Sequence, residues 1–295
     1  MDRREFLRLV GGATILGFGI PALGRRVAWA QGTSPVADLG LPELTVTFTD
    51  AGCKVTPSQT TAGWTLVTFT NSSSEQEDSP DFMLLPAGMS VADVTSVLAT
   101  PDAAPPSFIY ETTFAGGPLA SMGKTTQSVS YLTEGDWLVF SAGEPQFAGT
   151  TLSVTAASAA SPAPVAITAD VEVSLQEFAF VGLEQPVPAE LHIWKLTNTG
   201  QQPHIMIVFP VPDGTTTEQL LATVMGFMTG TPAASAVDLG DAPSAGGCSA
   251  LSSGQTLYLP LDLTAGTYGA VCFVPDEQTG APHVLMGMGT VFTAA

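Results

Sequence analysis

The sequence predicts an all-β protein made of two tandem sandwich domains, each carrying one short inserted helix. Short runs rich in Val, Thr and Phe recur along the chain with Gly, Pro, Asn and Asp between them, a pattern typical of β-sandwiches. The chain of 295 residues is long enough for two domains with a hydrophobic core each. An internal repeat predicts the same architecture for both domains.

The first 30 residues match a twin-arginine export signal. Arg3-Arg4 precedes a weakly apolar, glycine-rich run from Leu9 to Gly24, and Ala28-Trp29-Ala30 forms a small-x-small cleavage site. The apolar run of about 16 residues is shorter than the ~20 that span a bilayer, which argues against a membrane anchor. We therefore expect a periplasmic or extracellular mature protein with no membrane span.

Removal of that segment leaves a strongly acidic chain. Five of the eight basic residues and two of the 27 acidic ones lie in residues 1–30, so the mature net charge is −22. Nucleic acid and anionic membranes are excluded as partners, because three lysines cannot neutralise their phosphates. An acidic surface would steer a basic redox partner, or it would serve solubility outside the cytoplasm.

Two homologous halves follow the signal. A Pro/Ala/Ser-rich stretch predicts a linker at 158–165, which divides the mature chain into domains 31–157 and 166–295. Three segments of the first half align with three of the second: Pro80–Met83 with Pro203–Met206, Ala115–Gly117 with Ala245–Gly247, and Leu132–Trp137 with Leu263–Tyr268.

Each half also has one predicted helix at the same place. Ser90-x-x-Asp93 opens the first helix, and Thr215-x-x-Glu218 opens the second as a capping box. The second helix carries an apolar stripe with helical spacing, formed by Leu220, Leu221, Val224, Phe227 and Met228.

Four potential metal ligands stand out in the second half. Cys272, His283 and Met288 lie within seventeen residues of one another, and His204 begins an apolar run upstream. Thiolate and thioether sulfur stabilise Cu(I), while imidazole suits both oxidation states of copper. Two histidines, one cysteine and a weak axial methionine form the ligand set of a blue-copper site.

The order His204, Cys272, His283, Met288 resembles that of the plastocyanin-type cupredoxins. The likeness is closest at Pro282-His283-x-x-x-Gly287-Met288 and at Tyr268-x-x-x-Cys272. It implies Greek-key sandwiches and one type 1 copper bound by these four residues. The chain departs from the pattern in the ten residues between Cys272 and His283, where plastocyanin-like proteins have two and some members of the wider family have more.

The repeat assigns the metal site to the second half alone. His204 aligns with Asp81 and Cys272 with Ser141, and the first half contains no histidine. Residues 31–157 are therefore predicted to be a degenerate cupredoxin-like domain without a metal site, with a structural or partner-facing role.

Other candidate residues are assigned to the core or left open. Met286 competes with Met288 for the axial position, but the His-x-x-x-Gly-Met spacing favours Met288. His192 has no ligand neighbour in its strand and is interpreted as structural or exposed. Cys53 and Cys248 lie in different halves and could form an inter-domain disulfide, or Cys248 could be a free thiol near the copper.

The resulting prediction is an exported, non-enzymatic protein that transfers single electrons to a redox partner. Three histidines are too few for the further copper clusters of multicopper oxidases and nitrite reductases, and no Gly-x-Ser-x-Gly, P-loop or His-Glu-x-x-His motif is present. The partner is expected to approach His283 over an apolar rim formed by Pro203, Ile205, Pro282, Val284, Leu285 and Met286. A copper carrier and a metal-free structural module stay open as alternatives.

Overall fold

The computed structural model describes residues 34–73, 78–98, 106–141, 148–157, 166–231, 233–239 and 244–295. The predicted export signal at 1–30 and the predicted linker at 158–165 lie outside these residues. None of the helices in the described ranges is long and apolar enough to cross a membrane.

The described part of the first half consists of eight strands and two short helices. In chain order they are β1 (Glu43–Thr49), β2 (Gly52–Thr56), β3 (Gln59–Thr61), β4 (Gly63–Asn71), β5 (Asp81–Leu84), α1 (Val91–Leu98), α2 (Phe108–Glu111), β6 (Thr125–Leu132), β7 (Gly135–Ser141) and β8 (Ala148–Thr155). The four-residue α2 is additional to the single helix that the sequence predicts for this half.

The second half has eight strands, one longer helix and one turn of 3-10 helix within the described residues. In chain order they are β9 (Val171–Gln176), β10 (Ala179–Val181), β11 (Glu190–Asn198), β12 (His204–Pro210), α3 (Thr217–Thr229), β13 (Gly246–Leu251), β14 (Thr256–Leu263), β15 (Gly266–Val271), the 3-10 helix (His283–Met286) and β16 (Gly289–Ala294).

The sheets of the two halves have the same internal order. The first half contributes β2-β1-β4-β6 and the second contributes β10-β9-β11-β14. In each, the two middle strands (β1 with β4, and β9 with β11) run parallel, while the outer pairs are antiparallel. A second, four-stranded sheet completes each sandwich, β3-β8-β7-β5 in one half and β13-β12-β15-β16 in the other. The predicted all-β sandwich class is confirmed.

The halves join through equivalent elements. Strands β6 and β14 pair antiparallel, so the two main sheets form one sheet of eight strands. The segments that carry the two Ala-Gly-Gly repeats also pair with each other, at Ala115 with Leu251 and at Pro118 with Cys248. Antiparallel pairing of equivalent segments relates the halves by a local two-fold.

The prediction of a separate core for each half is wrong in one respect, because the largest apolar cluster contains residues of both halves. One smaller apolar cluster lies within the first half, between its two sheets. The largest cluster combines residues of the first half with most of the buried residues of the second; its first-half members are Met83, Val94, Ile109, Phe114, Leu119, Leu138 and Phe140. These seven residues lie on β5, β7, the two helices and the segment 114–119, not on the joined sheet. They meet the second half where that segment pairs with β13 and where β5 contacts β13. The boundaries 31–157 and 166–295 stay a prediction.

Two details of α3 differ from the sequence-based expectation. Thr216 caps the helix, and its backbone N–H donates to the side-chain oxygen of Gln219 at 2.9 Å. The capping pair is therefore displaced by one residue from the predicted Thr215 and Glu218. Phe227, predicted in the buried stripe, is 51% exposed. The helix packs against β16 and the 3-10 helix, and the face that it buries there contains Leu220, Thr223 and Val224.

Candidate metal centre

Two antiparallel strands bring the first two predicted ligands together. Strands β12 and β15 pair with Ile207 opposite Val271, so the beginning of β12 and the end of β15 lie at the same edge of the sheet. His204 is the first residue of β12, and Cys272 directly follows β15. This register places their side chains close together although 68 positions separate them in sequence.

The ten-residue loop after Cys272 returns the chain to the same place. Its two arms pair at Pro275 and Pro282, and the backbone N–H of His283 donates to the carbonyl of Val274 at 2.8 Å. The N–H of Val284 donates to the carbonyl of Cys272 at 2.7 Å. The loop is thus closed at its base, and its length does not move His283 away from Cys272.

Three side-chain atoms converge at this edge. Nδ1 of His204 lies 3.1 Å from Nδ1 of His283. The sulfur of Cys272 lies 3.8 Å from Nδ1 of His204 and 3.5 Å from Nδ1 of His283. The backbone N–H of Ile205 points at the same sulfur, 3.5 Å away. Within the described residues, this is the one group of three or more His, Cys, Asp or Glu side chains whose ligand atoms all lie within 4.8 Å.

Burial governs the protonation of the three groups. All three side chains are fully buried. Burial lowers the pKa of His204 to about 4, although the charge of Glu177 opposes the shift. The pKa of His283 falls to about 3, through burial first and the neighbouring His204 second. Burial raises the pKa of the Cys272 thiol to about 12. The imidazoles are therefore neutral at pH 7, the state in which histidine binds metals.

The outer nitrogens of the two imidazoles face different groups. Nε2 of His204 lies 3.3 Å from a carboxylate oxygen of Glu177, a contact that does not meet the geometry of a hydrogen bond. The ring of Phe178 packs edge-on against the ring of His283, with centroids 5.0 Å apart. Glu177 and Phe178 form the turn between β9 and β10. Sequence reasoning missed both, because a two-residue turn with no recognisable motif does not reveal what it covers.

A second group missed from the sequence holds the loop in place. The side chain of Gln202 donates to Asp276 Oδ2 at 2.9 Å and accepts from the backbone N–H of Glu277 at 2.7 Å. Asp276 also accepts from the N–H of Thr279 at 2.8 Å. Because Gln202 precedes His204 by two residues, these bonds tie the segment of one histidine to the loop that ends in the other.

The two candidate axial methionines occupy different environments. Met288 is fully buried, and its carbonyl accepts from the N–H of Cys272 at 3.1 Å. Met286 is 38% exposed, and its sulfur accepts from the Thr279 hydroxyl at 3.9 Å. Burial beside Cys272 favours Met288, whose role as the axial ligand stays a prediction together with the ligand set as a whole.

The remaining candidates lie away from the three convergent atoms. His192 contacts Asp170 at 3.4 Å and the carbonyl of Ala189 at 3.0 Å, as expected for a structural histidine. Cys53 and Cys248 are both free thiols, so the inter-domain disulfide left open from the sequence is absent here. Met206 is buried, and a register irregularity separates it from His204.

The predicted apolar rim is mostly wrong. Pro203, Ile205, Pro282 and Val284 are buried, and of the six predicted residues only Met286 is exposed. Glu177 and Phe178 lie against the two histidines that the rim was expected to leave open to a partner.

The equivalent position in the first half holds carboxylates. Asp81, which aligns with His204, is fully buried. Asp78 is also buried, and its Oδ2 accepts a hydrogen bond from the hydroxyl of Ser141. Burial raises the pKa of Asp78 to about 7 and that of Asp81 well above its ordinary value. Asp78 is therefore largely protonated in mildly acidic solution.

The second-half site fits a copper ion. Two neutral imidazole nitrogens and one sulfur face a common point, and Nε2 of His283 has no hydrogen-bond partner in the described structure. The carboxylate beside Nε2 of His204 favours a proton on that nitrogen, which leaves the lone pair of Nδ1 for a metal. Sulfur and imidazole nitrogen are donors that suit copper, whereas magnesium and calcium prefer carboxylate and carbonyl oxygens.

Solved structures similar to this chain include blue-copper proteins and multicopper oxidases. Auracyanin from Roseiflexus castenholzii is 17% identical over 44% of this chain and 99% of its own, with a TM-score of 0.30. Lac15 from a marine microbial metagenome is 12% identical over 81% of this chain and 64% of its own, with a TM-score of 0.26. The multicopper oxidase from Pediococcus acidilactici is 11% identical over 86% and 59%, with a TM-score of 0.23. No protein-family model and no curated protein sequence matches the chain.

These comparisons contradict the prediction that the chain is not an enzyme. Several of the similar structures are multicopper oxidases or laccases, which are enzymes. The prediction rests on the number of histidines in one chain, and it is withdrawn. At such identities the likeness concerns the fold alone.

Proposed function

We propose that this chain is a type 1 copper protein that transfers single electrons, with one copper held by His204, Cys272, His283 and, weakly, Met288. The observation that carries the proposal is the convergence of His204 Nδ1, His283 Nδ1 and Cys272 Sγ on one buried point. A copper ion bound there would supply reversible Cu(II)/Cu(I) chemistry.

The chain's own residues hold the ligands rigid and dry. The backbone N–H groups of Ile205 and Val274 point at the Cys272 sulfur and favour its ionised form. Main-chain bonds join Cys272, His283 and Met288 to one another, and Gln202 fixes the loop between them. A site held this firmly changes little between oxidation states, which favours fast electron transfer.

Copper carriage is the main alternative function. A carrier must release its metal, and release requires that a ligand swing out of the site. The three convergent side chains are fully buried beneath the β9–β10 turn. This burial favours retention of the metal over delivery. Rapid loss of copper to a chelator, together with an irreversible electrode response, would support carriage instead.

The partner is proposed to carry positive charge, and the setting to be extracytoplasmic. After removal of residues 1–30 the net charge is −22, which would attract a basic redox protein over long range. Weakening of the association by salt would support this partner, since screening shortens the reach of surface charges.

The deciding experiment is the visible spectrum of the copper-loaded mature protein. A Cu(II)–thiolate bond gives an intense visible band, and Cys272→Ser should abolish it. Cys248→Ser is the matched control, because Cys248 is also a buried free thiol close to the site. The control should keep the band. A folded wild-type protein that stays colourless with Cu(II) would contradict the proposal and favour a metal-free structural module.

A further inference from the structure

The turn between β9 and β10 contacts both histidine rings. Glu177 lies against Nε2 of His204 at 3.3 Å, and the Phe178 ring lies against the His283 ring at 5.0 Å between centroids. Neighbouring residues of one turn thus meet the two rings, and Glu177 does so at the nitrogen of His204 that does not face His283.

The Glu177 carboxylate is held in place by a pocket of backbone groups. Its Oε1 accepts from the N–H of Gln201 at 2.6 Å and from the N–H of Gln202 at 2.7 Å. Gly200 leaves room for it, because a Cβ there would lie 2.6 Å from both carboxylate oxygens. The Glu177 side chain is only 26% exposed. A carboxylate with two N–H donors and restricted space is fixed in orientation.

The first half provides an internal comparison. Its equivalent turn, between β1 and β2, consists of Asp50 and Ala51, and both residues are exposed. The covering turn therefore occurs in the half that has the two histidines and the cysteine, and not in the half that has Asp81 and Ser141 instead. This difference ties the cover to the metal site rather than to the architecture of the sandwich.

We infer that Glu177 and Phe178 form an outer cover that tunes the centre. Glu177 is a positioning residue, which keeps the His204 ring turned with Nδ1 inward and places a negative charge beside a ligand. That charge favours Cu(II) over Cu(I) and lowers the reduction potential. Phe178 shields His283 and slows exchange of the metal. The inference rests on the proposed function.

Three substitutions separate charge from position. Glu177→Gln removes the charge but keeps an oxygen that can accept from Gln201 and Gln202, whereas Glu177→Ala removes both. Glu184→Gln removes one charge from an exposed side chain whose bonds are to the N–H of Gly182, away from the ligands, and serves as the control.

The first readout is the reduction potential of the copper-loaded protein. We expect Glu177→Gln to shift the ratio of Cu(I) to Cu(II) affinities about tenfold towards Cu(I), a rise of about 59 mV for a one-electron couple. The reduction potential of Glu177→Ala should rise by a similar amount, and that of Glu184→Gln should shift far less. Equal shifts in Glu177→Gln and Glu184→Gln would overturn the role of Glu177, because only the total charge would then matter.

The second readout follows copper loss to a Cu(I) chelator. Phe178→Ala should lose copper at least tenfold faster than wild type, while Phe178→Leu, which keeps apolar cover, should stay near the wild-type rate. Loss from Phe178→Ala at the wild-type rate would overturn the role of Phe178. Thermal unfolding of each metal-free variant shows whether a changed rate reflects a lost fold.

The third readout needs no metal. In nitrogen NMR of the metal-free protein, wild type and Glu177→Gln should show His204 with the proton on Nε2, and Glu177→Ala should show a mixture of tautomers. An unchanged tautomer in Glu177→Ala overturns the positioning role. A colourless wild-type protein with the expected tautomers would instead contradict the proposed function alone, which keeps the two failures distinct.

Discussion

Oδ1 of Asp81 accepts a hydrogen bond of 3.1 Å from the backbone N–H of Ala250, across the junction of the two halves. Asp81 aligns in sequence with the candidate ligand His204, so the equivalent positions of the two halves hold side chains of different chemistry. Its other oxygen, Oδ2, has no hydrogen-bond partner among the described residues. The side chain is fully buried, and burial raises its pKa well above the ordinary value.

Asp81→Ala is expected to lower the free energy of unfolding by about 1–3 kcal/mol, because the N–H of Ala250 loses its acceptor in a buried place. Asp81→Asn keeps an acceptor oxygen and should cost less. The measurement is chemical denaturation of the mature protein, with copper absent from all samples. Equal stability of Asp81→Ala and wild type would show that this contact does not hold the halves together.

The raised pKa of Asp78 predicts that the free energy of unfolding falls as the pH rises. Burial raises its pKa from 3.8 to about 7 despite hydrogen bonds from Ser141 and Ser79, so the folded chain holds the proton more tightly than the unfolded chain. The stabilising effect is complete below pH 3.8 and is lost as the pH rises to about 7. Asp78→Asn should flatten the curve over this range.

Asp93 provides a control of opposite sign for the pH experiment. Hydrogen bonds from the Ser90 side chain and backbone lower its pKa, so its contribution is present above the unfolded value and lost as the pH falls. Asp93→Asn should therefore leave the fall between pH 4 and 7 in place. If Asp78→Asn and Asp93→Asn change the profile alike, the buried carboxyl of Asp78 is not its cause.

Met288→Leu is expected to keep the visible band and raise the reduction potential, because a weak axial ligand tunes the metal without creating the Cu–thiolate bond. Met286→Leu is the matched control, since Met286 is exposed and its sulfur faces Thr279. It should leave both properties unchanged. A raised potential in Met286→Leu with none in Met288→Leu would identify Met286 as the axial ligand.

The metal-free mature protein should unfold cooperatively, and copper should raise its unfolding temperature. All three cysteines are free thiols, so no disulfide closes the fold, and buried apolar clusters in both halves supply a core. Binding to the native state alone adds about 4 kcal/mol at a thousandfold excess of ligand over its Kd. Reduced, metal-free protein in a thermal melt is the measurement. Absence of a cooperative transition would mean that copper is required for folding.

Local sequence was enough to predict the repeated architecture. The Leu-Thr-x-Gly-x-aromatic motif recurs because each half needs the same corner: Trp137 Nε1 donates to the carbonyl of Thr133, and the Tyr268 hydroxyl donates to the carbonyl of Thr264, both at 2.9 Å. Alternation of buried and exposed residues identified the strands, because side chains of a strand point to opposite faces. The joined sheet was not predictable, since pairing of β6 with β14 depends on which edges remain free after each half has folded.

The sequence by itself determined the donor atoms of the candidate site, because thiolate, imidazole and thioether are properties of residue types and their order along the chain survives folding. Only the tertiary structure decided what surrounds them. Glu177 and Phe178 reach the two histidines through strand pairing, and Gln202 reaches Asp276 across 74 positions. Such contacts depend on register and loop geometry, which no local pattern encodes. The residues predicted to form an open rim are mostly buried for the same reason, because burial depends on how the whole chain packs and not on residue type alone.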